Sequence, residues 1–155
     1  MTEKRALRVV RILALAFGAL AGAALVGLAV VRAQQPSDEP VAVAWDREAC
    51  AHCHMHVGDA AFAGQIVTDD GRVLFFDDPG CLLAFEAQQK PLEHAVWFHH
   101  HAANRWLAKS EVAFVPVARS PMGYGLAAAE VGTAGSLAYA TAQARAVKRA
   151  EGGEP

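Results

Sequence analysis

The rhythm of apolar and polar positions divides the chain into segments of different kinds. Ile12 to Val31 is an apolar run of 20 residues without a charge or strong polar group. As a helix rising about 1.5 Å per residue it reaches roughly 30 Å, the hydrocarbon thickness of a bilayer. Gln34 to Pro40 is polar and holds two prolines, which suits a short tether. Gly64–Thr68 and Arg72–Asp77 read as two strands joined by Asp69-Asp70-Gly71, a turn in which Gly71 tolerates positive φ. Asp78-Pro79 reads as a helix start, with Asp78 as N-cap and Pro79 at the first helical position. Cys81, Leu82 and Phe85 then share one helical face, and Pro91 stops the element. Ala95–His100 is a third predicted strand. Phe114–Ala118 reads as a strand, Gly123–Ala128 as a looser one and Ser136–Arg149 as an Ala-rich helix.

These elements predict an α+β fold of small antiparallel sheets with helices. Strand–strand–helix–strand is followed by an incomplete repeat of the same unit, and one N-terminal transmembrane helix precedes both. The expected organisation is an anchor or uncleaved signal over residues 1–33, a tether over 34–44, a metal-binding domain over 45–150 and a disordered tail over 151–155.

Charge sharpens this division. Residues 1–33 carry five Lys or Arg against one acid, net +4, while the remainder carries nine against fifteen, net −6. Basic residues ahead of the apolar run predict a cytoplasmic N-terminus with the domain outside. Val31-Arg32-Ala33 offers a signal-peptidase site as the alternative to a retained anchor. An acidic domain argues against nucleic acid as a partner, because phosphate binding needs clustered Lys and Arg. The same acidity would steer the domain onto a basic partner.

The candidate chemistry lies in Cys50-Ala51-His52-Cys53-His54-Met55, with His56 following. A two-residue gap lets both thiols reach one centre, and sulfur donors suit Cu(I), Zn(II) or iron–sulfur clusters. The same letters form CxxCH, a c-type haem attachment site, or CxxC, a dithiol–disulfide couple. A structural disulfide is the plainest alternative in an exported chain. Three cysteines, Cys50, Cys53 and Cys81, cannot all pair within one chain.

Other residues bear on the choice. Met55 follows Cys53 by two positions. Met122 sits in Ser120-Pro121-Met122-Gly123-Tyr124-Gly125, a tight loop that lacks the spacing of ordinary core. His99, His100 and His101 on a strand would put His99 and His101 on one face, so at most two could share a metal. Cys81, next to Leu82 and Leu83, reads as a buried small hydrophobe. Asp77 and Asp78 are explained by turn and cap geometry rather than by acid–base catalysis.

Taken in order, Cys50-x-x-Cys53-x-Met55, Phe76-Asp77-Asp78-Pro79-Gly80-Cys81, Trp106 and Pro121-Met122-Gly123-x-Gly125 resemble the NosL family, accessory proteins for nitrous oxide reductase. The resemblance covers roughly residues 45–130. It implies two small ββαβ units and a Cu(I)-binding metallochaperone, not an enzyme, held at the cytoplasmic membrane and facing the periplasm. It also implies Cys50, Cys53, Met55 and Met122 as metal ligands, with His52, His54 and His56 as alternates. The implied partners are a membrane ABC-type maturation complex and recipient nitrous oxide reductase, or a related copper enzyme. Where the family usually has Gly before Met55, this chain has His54. No cysteine precedes Cys50, so the apolar run would replace the family's usual lipid anchor.

Overall fold

The computed structural model describes residues 2–33 and 35–152, in two units, Met1–Gln35 and Pro36–Pro155. In the first, α1 runs from Thr2 to Ala33, as expected of a stretch dominated by Ala and Leu. Leu15, Phe17, Leu20, Leu25 and Val26 on it are exposed. The predicted span includes residues 12–14, 16 and 31, whose side chains lie outside the described set. Among the described residues no helix is long and apolar enough to cross a membrane.

The second unit is α+β. Strands β1 (Gly64–Thr68) and β2 (Val73–Phe76) pair antiparallel across the predicted turn, where Gly71 takes φ 80°. Helix α2 (Pro79–Gln89) starts at the predicted cap, with the Gly80 N–H donating to Asp78 Oδ1 at 2.8 Å. It ends on Lys90, which is left-handed at φ 47° because the ring of Pro91 disfavours helical backbone before it. Strand β3 (Glu93–His99) returns along β1, and β4 (Trp106–Ala108) completes a sheet of order β2-β1-β3-β4. At three residues, β4 is too short for a hydrophobic period to reveal it.

Strands β5 (Val112–Pro116) and β6 (Leu126–Glu130) form a separate antiparallel pair, followed by α3 (Tyr139–Ala150). The boundaries differ from the predicted ones for local reasons. Gly123 and Gly125 hold positive φ, so β6 cannot begin before Leu126. Leu137 exchanges two backbone hydrogen bonds with Phe114, which delays α3 past Ser136. The β5-β6-α3 unit has no closing strand among the described residues. Glu151 and Gly152 extend the end of α3 through bonds to Val147 and Arg149, whereas the rest of the predicted tail, residues 153–155, lies outside the described residues.

Part of the predicted tether belongs to the second unit. Val41 exchanges hydrogen bonds with the buried Gln65 side chain at 2.9 and 3.1 Å, and Asp38 meets His94 at 2.7 Å. The core lies where Phe98 of β3 meets Phe114 of β5 edge-on at 5.0 Å, with Tyr139 of α3 at 6.0 and 5.7 Å from the two rings. These aromatic contacts join both sheets to α3. Phe114→Ala should therefore cost about 3–5 kcal/mol in urea denaturation. A cost under about 1 kcal/mol would show that this aromatic junction does not hold the domain together.

Candidate metal centre

The chain doubles back through Asp46–Gly58 before reaching β1. The Asp46 N–H donates to Val57 O and the Val57 N–H to Glu48 O, each at 2.9 Å, and the Cys50 N–H donates to Met55 O at 2.8 Å. The His54 N–H closes the inner turn onto Cys50 O at 2.9 Å, with His54 itself left-handed at φ 63°. Glycine adopts that conformation at least cost, and His is among the side chains that tolerate it. The loop is fastened to the free edge of β2 by Ala51 N–H to Phe75 O at 2.8 Å and to the following turn by Gly58 N–H to Asp77 Oδ1 at 3.1 Å.

This fastening turns Cys50 inward, where it is buried against the first turn of α2. Cys81 on that turn is also buried, Cys53 is half-buried, and all three thiols are free. The three sulfurs lie within 4.8 Å of one another. Sulfurs bound to one ion at about 2.3 Å sit roughly 4 Å apart, so modest side-chain rotation closes the set. Three cysteines close together can hold a metal ion. Cys81 is buried as its neighbours suggest, but its sulfur faces the other two instead of acting as plain core.

The three thiols are electrostatically unequal. Hydrogen bonding from Cys81 holds Cys50 down to about 5, against the opposing effect of burial, and backbone N–H groups of Cys53, Asp77 and His52 assist. Cys81 is pushed up, first because its proton is committed to Cys50 and then by burial. Burial raises Cys53. Cys50 is therefore the readiest of the three to give up its proton, and Cys53 and Cys81 hold theirs more firmly. Binding an ion through all three sulfurs releases the protons they hold, so affinity falls as pH falls.

The Ser120–Gly125 loop covers this region. Its anchor is Asp78, which accepts from the Met122 N–H at 3.0 Å while capping α2. A Cβ on Gly80 would lie 2.0 Å from Tyr124 Cγ, so only glycine lets the ring rest on the helix start. The Tyr124 hydroxyl reaches His52 Nε2 at 3.3 Å. Met122 is 38% exposed and Met55 58% exposed, so both thioethers stand at the surface while two of the three thiols are buried.

The histidine run does something else. Strand β3 ends at His99, so the alternation expected of a strand does not continue through His100 and His101. His100 Nε2 meets Glu130 Oε2 at 2.7 Å, and the His101 ring and backbone N–H both bond Ala128 O, at 2.8 and 2.9 Å. The run thus ties the first sheet to β6. Among the described residues the three cysteines alone form a metal-sized group of His, Cys, Asp and Glu ligands.

In metal-free, reduced protein one thiolate should titrate near pH 5 by its ultraviolet absorbance. Cys81→Ala should move that midpoint up toward an ordinary thiol, while Cys81→Ser, which keeps a donor, should move it much less. Equal behaviour of both variants would contradict the assigned hydrogen bond. Comparison with protein-family models, curated proteins and solved structures yields no match.

Proposed function

We propose that this chain is an extracytoplasmic Cu(I) metallochaperone, a NosL-like protein that supplies copper for nitrous oxide reductase or a related copper enzyme. The convergence of three cysteine sulfurs within 4.8 Å carries this reading. Soft, polarisable donors select Cu(I) or Zn(II) over oxygen-loving ions. A three-sulfur set suits Cu(I), which is stable at low coordination, whereas structural Zn(II) asks for a fourth ligand. Met55 and Met122 provide neutral thioethers at the rim, able to join or replace a thiolate while the ion enters or leaves. They are not consumed by disulfide formation, an advantage outside the cytoplasm.

The N-terminal segment supports a single-pass anchor in the cytoplasmic membrane with the domain in the periplasm. What supports the anchor is the uncharged run Ile12 to Val31 with basic residues ahead of it. Release to a recipient through a membrane ABC-type maturation complex follows from the same resemblance. The c-type haem reading of Cys50-Ala51-His52-Cys53-His54 finds less support, because Cys50 is buried and its sulfur lies with that of Cys81. The dithiol-oxidoreductase reading meets a similar difficulty, since the more acidic sulfur is the inaccessible one.

Anaerobic competition against chromogenic chelators should give one Cu(I) per chain, held more tightly than Zn(II). Cys50→Ser/Cys53→Ser should weaken Cu(I) binding by more than about 100-fold. Retained affinity in that variant, or a preference for Zn(II), would reject the proposal.

A further inference from the structure

Helix α3 presents a second set of side chains to the loop that carries Met122. The Nη2 of Arg149 lies 3.7 Å from the point a Cβ on Gly123 would occupy, and that of Arg145 lies 3.8 Å from the corresponding point on Gly125. The two residues are one helical turn apart, so their guanidinium groups share a face. Arg119, just before the loop, and Lys148 are exposed nearby in sequence. None of these four cations takes part in an ion pair among the described residues. Arg145 Nε is buried without any hydrogen-bond partner. Lys109, Arg105 and Arg72 are each matched to carboxylates, while Arg47 and Lys90 are also outside the ion pairs of the described residues. It is the position of Arg145 and Arg149 beside the loop that sets them apart.

We infer that Arg145 and Arg149 form an anion-recognising rim beside the Met122 loop, which docks a carboxylate-rich face of the protein exchanging metal with the cysteines. The inference rests on the metal-exchange reading for its purpose, though not for its geometry. A guanidinium presents its donors as a planar fork that matches a carboxylate, and both arginines bring the end of that fork to the loop. The position explains why the acceptor belongs to a partner protein. Such a partner must bring its own sulfur or imidazole donors to the exposed Met122, and carboxylates on its surface would seat on the two arginines as it does so. The rim is cationic although the domain as a whole is acidic, so approach from this side is oriented. The overall acidity alone would favour a basic partner, but at this rim a carboxylate is drawn in while the rest of the surface repels it, which replaces the basic partner expected from net charge.

The test uses the full chain in neutral detergent with hexaglutamate as the acidic probe and hexaglutamine as its neutral control, followed by NMR. Hexaglutamate should shift the amides of Ser120–Gly125 and of α3 around Arg145, bind more weakly as salt rises, and lose about ten-fold or more in affinity in Arg145→Gln/Arg149→Gln. Arg72→Gln, which removes a cation elsewhere, should bind as the wild type does. Should the double variant unfold, the salt dependence and the location of the shifts in the wild-type chain decide the same point. Binding indifferent to both arginines, or shifts mapping to other surfaces, would overturn the inference. So would binding through them of phosphatidylglycerol vesicles in preference to the peptide. Cu(I) affinity measured on the same double variant should be unchanged. Arginine-dependent peptide binding in a chain that binds no Cu(I) would reject the copper reading and leave the anion-recognising rim standing.

Discussion

A carboxylate removed from water is tolerated only where donors converge on it, and Asp78 is such a group. It is fully buried, accepts from the Gly80 N–H and the Met122 N–H, and so holds the first turn of α2 and the 120–125 loop in fixed relation. Burial raises its pKa, and the hydrogen bonds from Ser120, Met122 and Gly80 work against that rise. One side of the candidate centre depends on this junction. Cys81 is placed by the helix start that Asp78 caps, Tyr124 by the loop that Asp78 anchors, and Gly80 by the absence of a side chain between them.

Around that junction the sulfur atoms divide by exposure. The paired backbone of Asp46–Gly58, fastened to Phe75, delivers Cys50 to Cys81 in a dry setting, where a thiol–thiolate hydrogen bond is strong. Cys53 is more accessible, and Met55 and Met122 face solvent. Such a gradient, from buried thiolate to exposed thioether, is what stepwise ligand exchange of a soft ion requires. On the proposed reading a recipient would begin at the surface and finish inside without exposing the whole centre, and the inferred arginine rim beside Met122 would orient its approach.

Much of this was legible in the chain because the signals are local. The Asp69-Asp70-Gly71 turn, the Asp78-Pro79 helix start and the β1–β2 hairpin each follow from dihedral preferences of a few neighbouring residues. The convergence of Cys81 with Cys50 was not, since it depends on how a loop docks on the edge of β2. Burial beside two leucines suggested only packing. The place of the histidine run was not legible for the same reason, because a strand ending one residue early sends His100 and His101 to β6. The small strand β4 and the late start of α3 are set by tertiary pairing, which overrides local propensity, and the late start of β6 by the positive φ of Gly123 and Gly125. The apolar N-terminal run remains the plainest feature of the sequence, and the proposed anchor rests on that pattern alone.

The central claim is that one ion sits among Cys50, Cys53 and Cys81. Copper-edge X-ray absorption of the Cu(I)-loaded, reduced chain tests it most directly, by comparing wild type with Cys81→Ala. The account predicts three or more sulfur neighbours at about 2.3 Å, with one fewer in the variant. An unchanged sulfur count on losing Cys81, or a first shell dominated by nitrogen, would contradict it.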